Sequence, residues 1–301
     1  MSSPRDWAEL LRVSALFTVP GDALAGAAAS GLRPGARTAF AAGASLCLYG
    51  AGMALNDWAD REEDAAERPE RPLPSGRIAP ARALAAAAGL TAAGIGLSLA
   101  AGRPAALTTT ALAGTVWAYD LRLKHSPAGP AAMATARGLD LILGAVATAA
   151  VQGDGHGPGR AVRRALPPAA ALGAHTYAVT AVSRCETRGG APGRSLAALA
   201  ATAVIGALAA GGRDRRGSGS PRALARAALA GAYVATAARP FLHAVLNPSP
   251  PLTQRAVGGG IRAMIPLQAA LAARSGSLVP ATLLTGLVPV ARRLARKVSP
   301  T

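Results

Sequence analysis

An acidic segment follows directly after an apolar run in a chain that is otherwise poor in acidic residues. It reads NDWADREEDAAERPERPLPSGR, residues 56–77, and holds seven of the 15 acidic residues. Asn56, Asp60 and Asp64 are four residues apart, and Asp57 lies three before Asp60, so on a helix these side chains lie on one side. Because stacked carboxylates repel one another, the spacing predicts a divalent cation between them. Mg²⁺ is typically held by one or two carboxylates together with water and phosphate.

Guanidinium groups accompany the carboxylates. Arg68, Arg71 and Arg77 lie in the proline-rich run RPERPLPSGR, and guanidinium groups bind phosphate oxygens through paired hydrogen bonds. Carboxylates with arginines beside them, at the end of an apolar run, fit a lipid diphosphate held through a metal ion. A solvated loop with scattered ion pairs is the alternative, which the regular spacing and the prolines disfavour.

The elements that position this segment are long apolar runs. Hydrophobic residues make up 51% of the 301 residues, and aromatic residues only 3%. Runs of roughly 18 to 22 apolar residues recur along the chain, the length that crosses a ~30 Å hydrocarbon core. We predict one all-α domain over residues 1–301, a polytopic transmembrane bundle of nine helices, or ten if both 257–273 and 277–296 cross. A soluble helical solenoid is the alternative, which is disfavoured because most runs lack an amphipathic face.

The basic charge of the chain indicates a membrane and not nucleic acid. The formal net charge is +17, but the arginines lie mainly between apolar runs, and no platform of aromatic and basic residues is present. Arginine-rich loops are typical of the cytoplasmic side of a membrane protein. With a retained, inside N-terminus, the segments 56–77, 119–126 and 183–194 lie on the cytoplasmic side of the cell membrane. The loop at 211–222 contradicts this charge rule.

The acidic segment resembles the signature of a known family. The pattern N-D-x-x-D-x-x-x-D, followed by ERPERPLPSGR, is similar to the first motif of the UbiA family of intramembrane prenyltransferases, and RPLPSGR resembles branches that include archaeal lipid ether synthases and EboC-like proteins. We identify the chain as a member of the EboC-like branch. The resemblance implies about nine transmembrane helices around a central cavity open sideways to lipid. It further implies catalytic roles for Asp57 and Asp60, and Mg²⁺ ligation by Asn56, Asp57, Asp60 and Asp64.

A second stretch, YDLRLK at residues 119–124, is also similar to the family. Members often carry a tyrosine followed by a Leu-Lys pair after the fourth helix, where the lysine helps to hold the diphosphate. The resemblance therefore implies that Tyr119 and Lys124 bind the diphosphate and that Lys124 is catalytic. A lysine that extends its ammonium group to the membrane interface is the alternative.

The third stretch departs from the family. The second aspartate motif, usually D-x-x-D-x-x-G-D, is replaced by SRCETRGG at the end of the sixth apolar run. Ser183, Glu186 and Gly190 occupy its acidic positions, so only Glu186 remains as a carboxylate metal ligand. Arg184 and Arg188 have entered the same turn, and they can pair with a diphosphate directly in place of a second metal ion.

Other ionisable or polar residues lie within apolar runs. Charged groups at membrane depth are costly and usually face the interior of the bundle. We predict that such residues line the cavity or an acceptor pocket: Asp22, Arg137, Asp140, His175 and Tyr177. Arg137 and Asp140 lie one helical turn apart and can pair with each other, and a purely structural ion pair is the alternative.

The resemblance implies Mg²⁺-dependent transfer of a prenyl group from a polyprenyl diphosphate to a hydrophobic acceptor, which the sequence does not identify. Two other functions stay open. A membrane-embedded terpene cyclase on the same fold would turn over its donor without any acceptor. A non-catalytic binding or export partner for lipid diphosphates would bind its ligand without turnover.

Overall fold

The chain is helical throughout the residues that the structure describes. The computed structural model describes residues 2–150, 157–186, 191–211 and 220–276, with Ala281 and Gly286. Across these ranges it contains eleven α-helices, one 3₁₀ helix and one π-helical turn, and no strand. The α-helices are α1 (Pro4–Leu10), α2 (Pro20–Ser30), α3 (Ala36–Ala59), α4 (Arg61–Glu67), α5 (Pro80–Ala101), α6 (Arg103–Ala118), α7 (Gly129–Ala149), α8 (Pro158–Ser183), α9 (Pro192–Ala210), α10 (Pro221–Leu246) and α11 (Pro250–Arg274).

Prolines mark where many of these helices begin. Seven of the eleven α-helices start at a proline. The fixed φ of proline suits the first helical turn, where its missing N–H would have had no partner in the helix. Proline before an alanine-rich stretch therefore sets the helix starts that the apolar runs leave open.

Six of the described helices are long and apolar enough to cross a membrane, namely α3, α5, α7, α9, α10 and α11. The prediction of an all-α bundle is confirmed, whereas the count of nine or ten crossings is not. Of the remaining helices, α1 and α4 have seven residues each. The last apolar run, 277–296, lies outside the described residues apart from Ala281 and Gly286.

Helix α2 is packed at the centre of the bundle. Nine of its 11 residues are buried, and it contacts α3, α7, α8 and α11. Glycines bring α2 and α7 to backbone contact: a Cβ atom on Gly26 would lie 1.9 Å from the Leu141 carbonyl oxygen, and one on Gly144 would lie 2.2 Å from that of Ala23. Small residues allow such close crossings between membrane helices.

The helical path of the chain is interrupted just before α2, and we call this interruption the break before α2. A 3₁₀ helix, Val13–Thr18, precedes it, and Arg12 adopts a left-handed backbone with φ 46°. This conformation is uncommon for a residue with a side chain. The break separates α1 from the buried helix and turns Arg12 toward the end of α3, where its guanidinium reaches Asp57.

We expect Gly26→Ala to lower the stability of the bundle. Its new methyl group would overlap the backbone of α7, and overpacking of this kind costs about 1–3 kcal/mol. Gly114→Ala is the matched control, because no atom of the described residues outside the glycine's own helix backbone lies within 4 Å of the Cβ position there. Alanine is also the better helix former by up to ~1 kcal/mol. Thermal unfolding in detergent should show a lower Tm only for Gly26→Ala. Equal shifts in both variants would contradict the close crossing.

Candidate active site

Asp57 and Asp64 form one charged group at the end of α3. They are seven residues apart and face the same arginine: Arg71 Nη1 lies 2.7 Å from Asp64 Oδ2 and 3.8 Å from Asp57 Oδ1. Arg12 contacts Asp57 at 3.0 Å, and Arg68 lies 3.5 Å from Asp64. Both carboxylates are buried. Three arginines therefore neutralise these two predicted metal ligands.

Asn56 and Asp60 face the opposite way, toward the π-helical turn Tyr119–Leu123. The Asn56 amide donates to Asp120 Oδ1 at 3.2 Å, and the Asp60 carboxylate is in direct contact with the Lys124 ammonium group. The expectation of a single ladder of Asn56, Asp60 and Asp64 is therefore not what the structure shows. The reason is the junction at Asp60, where α3 ends and α4 begins, so that Asp64 turns back toward Asp57.

Asp60 belongs to a group of side chains whose ligand atoms are close enough together to hold a divalent cation. The ligand atoms of Asp60, Glu63 and His125 lie within 4.8 Å of one another, and Glu63 and His125 are exposed. Two carboxylates are the protein ligands that Mg²⁺ commonly takes, with water and phosphate completing its shell. Within the described ranges this is the one such group, and it shares only Asp60 with the predicted ligand set.

Glu186, the other predicted ligand, lies elsewhere. It follows the end of α8, and Arg68 is close enough to act on it electrostatically; burial raises the pKa of Glu186, and Arg68 opposes this shift. Arg68 of the first motif is therefore near Glu186 of the second. Arg188 and Gly190 lie outside the described residues.

Arg77, one of the predicted diphosphate-binding arginines, makes its contacts with α1 and the loop after α4. Arg77 Nη1 lies 2.8 Å from both Asp6 and Glu9 of α1, and its Nη2 donates to the Glu70 carbonyl oxygen at 2.6 Å. Hydrogen bonds from the Ser3 backbone and hydroxyl, together with Arg77, lower the pKa of Asp6 to about 2. Arg77 therefore holds α1 against the loop after α4, away from the carboxylates that follow α3.

Arg184 holds the loop that carries Lys124. Its guanidinium donates to the Ser126 carbonyl oxygen and lies 3.4 Å and 3.5 Å from those of His125 and Lys124. The three motif segments thus meet at one end of the bundle, as the sequence predicts. Direct contact between Arg184 and a diphosphate stays a prediction.

A cavity of about 270 Å³ opens next to this charged end. Asn56, Tyr119, Asp120 and Arg12 line its outer end, and burial raises the pKa of Asp120 to about 7 although the Asn56 amide and Lys124 favour the charged form. The walls between the two ends are apolar, and the inner end is polar again. The wall residues include Leu48, Met53, Leu112 and Val116, and the inner-end residues include Ser45, Tyr49, Arg137 and Asp140.

Arg137 and Asp140 do line the cavity, but they do not form the predicted ion pair. Arg137 Nη1 contacts Asp22 Oδ2 at 2.6 Å, and Asp140 accepts a hydrogen bond from the Ser45 hydroxyl. Asp22 also accepts a hydrogen bond from the Gln268 amide at 2.6 Å. Arg137 and Asp140 thus each contact a residue of another helix, Asp22 of α2 and Ser45 of α3, and not each other.

His175 and Tyr177 do not line the cavity. His175 is 1% exposed, and its ring nitrogens lie 2.9 Å from the Gly260 carbonyl oxygen and 3.0 Å from the Tyr233 hydroxyl. Tyr177 is 48% exposed and lines a separate groove between α7, α8 and α9. Residues two apart on a helix point about 200° away from each other, so these two side chains cannot face one pocket.

Several residues of the site were not singled out from the sequence. Asp120 lies four residues before Lys124 inside YDLRLK, so helical spacing could have placed both on one face. Glu63 stands within the acidic segment itself. Arg12, Ser45 and Tyr49 have no comparable signal, because their place in the cavity is decided by how α2 and α3 pack.

We expect Arg77→Ala to loosen α1 without altering the carboxylates after α3. The variant removes the ion pairs with Asp6 and Glu9, so backbone amides of Pro4–Leu10 should exchange with deuterium at least severalfold faster. Arg82→Ala is the control, since this exposed arginine forms no ion pair with any residue of the described ranges. Unchanged exchange in α1 would show that Arg77 does not hold it.

Comparisons with known proteins identify the fold and the family of the chain. The model of the UbiA prenyltransferase family matches residues 14–190. The apo structure of a UbiA homolog from Aeropyrum pernix K1 has a TM-score of 0.66 at 20% identity, covering 85% of this chain and 96% of that one. A second solved structure is described as giving structural and mechanistic insights into the biosynthesis of digeranylgeranylglyceryl phosphate synthase in membranes. It has a TM-score of 0.58 at 17% identity, covering 90% of this chain and 97% of that one. Both show the same fold.

The curated proteins that are similar in sequence match only part of the chain. Digeranylgeranylglyceryl phosphate synthase of Methanopyrus kandleri is 36% identical over 115 residues, 38% of this chain and 41% of that protein. The enzyme of the same name from Ignicoccus hospitalis is 32% identical over 151 residues, half of each chain. The chain therefore spans half or less of the length of these curated relatives. With the family match over residues 14–190 and the shared fold, the chain is a multi-pass membrane protein that belongs to the UbiA prenyltransferase family.

Proposed function

We propose that the protein transfers a prenyl group from a polyprenyl diphosphate to a hydroxyl-bearing acceptor inside the membrane. One observation carries the proposal: two separate segments meet at the outer end, or mouth, of a cavity with apolar walls. Asn56 and Asp120 line that end and are hydrogen-bonded to each other, and the pair of Asp60 and Lys124 lies one helical turn beyond them. A charged mouth suits a diphosphate, and an apolar wall suits a prenyl chain. The family membership supports the reaction class.

The fixed cations hold the leaving group. Lys124, Arg68 and Arg71 lie around the carboxylates at this end, and guanidinium and ammonium groups bind phosphate oxygens with charge-assisted hydrogen bonds. Asp60 and Glu63 would hold Mg²⁺. When bound, the metal ion would neutralise charge on the diphosphate as a Lewis acid.

The cavity protects the allylic carbon that loses the diphosphate. Leu48, Leu112 and Val116 exclude water from it, so the cation that develops there is not hydrolysed before the acceptor reacts. Tyr49 and Tyr119 also line the cavity, and their ring faces can stabilise positive charge. These two rings partly offset the low aromatic content of the chain.

Finer assignments rest on the resemblance and the relatives. The relatives named as digeranylgeranylglyceryl phosphate synthases favour a glycerophosphate acceptor as one candidate. The altered second motif favours the EboC-like branch. We further propose one domain with nine crossings, in which the 3₁₀ helix and α2 form the first and α6 and α8 join the six long apolar helices, with the motif segments on the cytoplasmic side.

We expect Asp60→Asn to abolish Mg²⁺-dependent product formation, by at least a hundredfold, because it removes the carboxylate shared by the metal site and Lys124. Membranes are incubated with radiolabelled geranylgeranyl diphosphate, Mg²⁺ and a total lipid extract, and labelled products are followed. Glu67→Gln, an exposed change in α4, serves as the control. Labelled product without lipid extract would instead indicate a cyclase, and donor binding without product would indicate a non-catalytic binder.

We expect Lys124→Met to have opposite effects on the binding of Mg²⁺ and on the binding of the diphosphate donor. Removal of the ammonium group frees the Asp60 carboxylate, so Mg²⁺ should bind more tightly in the absence of donor. Affinity for geranylgeranyl diphosphate should fall about ten- to a hundredfold, the range for one lost charge-assisted bond. Titration calorimetry measures both, with Arg122→Met as the exposed control. An unchanged donor affinity would favour the interfacial role for Lys124.

A further inference from the structure

A groove of about 800 Å³ lies on the surface of the bundle, with α8 as its floor and α7 and α9 as its walls. We call it the α7–α9 groove. Helix α7 separates it from the cavity of the candidate site, because Met133 and Ala136 line that cavity whereas Ala134 and Thr135 line the groove. The volume lies within the range of about 300–1,000 Å³ that is typical of ligand-binding sites.

Alanine forms most of the α7–α9 groove, which is therefore apolar and open. Eight of its twelve lining residues are alanine, and none of these side chains is long enough to close it. Ala174, Tyr177 and Ala197 are exposed, whereas His175, on the inward side of α8, is buried. Because α7 and α9 on either side of it are long and apolar enough to cross a membrane, the groove faces the acyl chains of the bilayer.

The groove extends from the end of the bundle that carries the motif segments into one leaflet. Its lining includes Arg194 and Ala201 on α9, and Ala174 and Ala181 on α8. Each pair is seven residues apart, which is ~10 Å of helix. One leaflet supplies about half of the ~30 Å hydrocarbon core of a bilayer. The groove therefore takes up most of the depth of one leaflet, as a single acyl chain does.

The motif end of the groove carries two guanidinium groups without a carboxylate partner among the described residues. Arg194 Nη1 lies 2.9 Å from Cys185 Sγ and 3.5 Å from the Ala181 carbonyl oxygen, and its Nε and Nη2 groups make no hydrogen bond within the same residues. Arg184, at the end of α8, donates only to backbone carbonyl oxygens of the loop before α7. The residues that join α8 to α9 outside the described ranges, 187–190, include no acid.

An anionic phospholipid matches both the charge and the apolar lining of the groove. Its phosphate can accept charge-assisted hydrogen bonds from the free donors of Arg194, and the charge of Arg184 and the positive end of the α9 dipole add attraction there. The alanine lining accepts an acyl chain. Tyr177 also lines the groove, and its hydroxyl, which makes no hydrogen bond with the described residues, can donate to an ester carbonyl group of the lipid.

A second copy of the chain matches the groove less well. Two copies that packed through this groove around an axis along the membrane normal would each bring Arg184 and Arg194 to the same end of the bundle. Four guanidinium groups would then meet without a carboxylate among them, and like charges brought together in an interface repel. A lipid phosphate instead supplies the missing negative charge.

We propose that the α7–α9 groove binds one anionic phospholipid, with the phosphate at Arg194 and one acyl chain along α8. A phospholipid with a choline headgroup binds less tightly there, because its quaternary ammonium group would lie near two guanidinium groups. The proposal concerns a site apart from the cavity and does not depend on prenyl transfer, so its test needs no turnover.

Two photoactivatable phospholipids that differ only in the headgroup, phosphatidylglycerol and phosphatidylcholine with a diazirine on one acyl chain, test the proposal. The purified full chain is reconstituted in phosphatidylcholine vesicles that contain a trace of one probe, and labelled peptides are identified after irradiation. We expect phosphatidylglycerol to label peptides that contain residues 174–181 and 194–201 severalfold more strongly than phosphatidylcholine. Equal labelling by both probes would overturn the proposal, because it would show only the contact of bulk lipid.

Arg194→Gln separates the phosphate contact from the apolar contact. Loss of a charge-assisted bond lowers the affinity for the anionic lipid about tenfold or more, so labelling of the groove by phosphatidylglycerol should fall to the level of phosphatidylcholine. Arg255→Gln is the matched control, because this exposed arginine near the start of α11 does not line the groove. Unchanged labelling by phosphatidylglycerol in Arg194→Gln would contradict the phosphate contact.

Ala174→Phe fills the groove without a change in charge. Ala174 is exposed, so the larger side chain does not disturb the core, and labelling of the groove by both probes should fall. Ala200→Phe, an exposed change on α9 outside the groove, is the control. Unchanged labelling in Ala174→Phe would contradict the position of the acyl chain. A chemically crosslinked dimer that forms in the wild type and is lost in Ala174→Phe would place a second copy in the groove and overturn the proposal.

Discussion

Charged groups in this bundle must find partners within the protein, and this requirement organises both ends of the cavity. Asp57 is buried with Arg12 and Arg71, and Asp22 is buried with Arg137. Removal of one partner from such a pair leaves an uncompensated charge that is costly in a low-dielectric interior. The pairs therefore fix which helices can be neighbours: Arg12 ties the break before α2 to α3, and Arg137 ties α7 to α2.

The helical junction at Asp60 divides the first motif into two functions. Asp57 and Asp64 turn toward arginines, so they stabilise the segment and present guanidinium groups at the mouth of the cavity. Asn56 and Asp60 turn toward Asp120 and Lys124, on the side where we propose that Mg²⁺ and the diphosphate bind. One acidic run thereby supplies a rigid support and a reactive side, which a straight ladder of carboxylates would not do.

Local patterns in the sequence predicted the helices and the meeting of the motif segments, because both depend on residues close along the chain. The partners of buried charges could not be predicted this way. Arg137 has Asp140 one turn away, yet it pairs with Asp22, 115 residues distant, because the glycine contacts between α2 and α7 bring those helices together. The sequence predicted the same diphosphate-binding role for Arg77 as for Arg71. Arg77 instead pairs with Asp6 and Glu9, because α1 lies next to it in the fold. Helical phase alone excluded that His175 and Tyr177 both face one pocket, so this part of the prediction could have been corrected from the sequence.

The altered second motif is consistent with the way charge is arranged around the first. Ser183 stands where the family usually has an acid, and Glu186 is close enough to Arg68 to be affected by its charge. In the described residues, the carboxylates available to metal are thus few, while fixed cations surround the mouth of the cavity. Under the proposed function, a site of this kind would stabilise a departing diphosphate more through guanidinium and ammonium groups than through a pair of metal ions. Fixed cations are also preorganised, so they need no rearrangement when negative charge develops on the leaving oxygen.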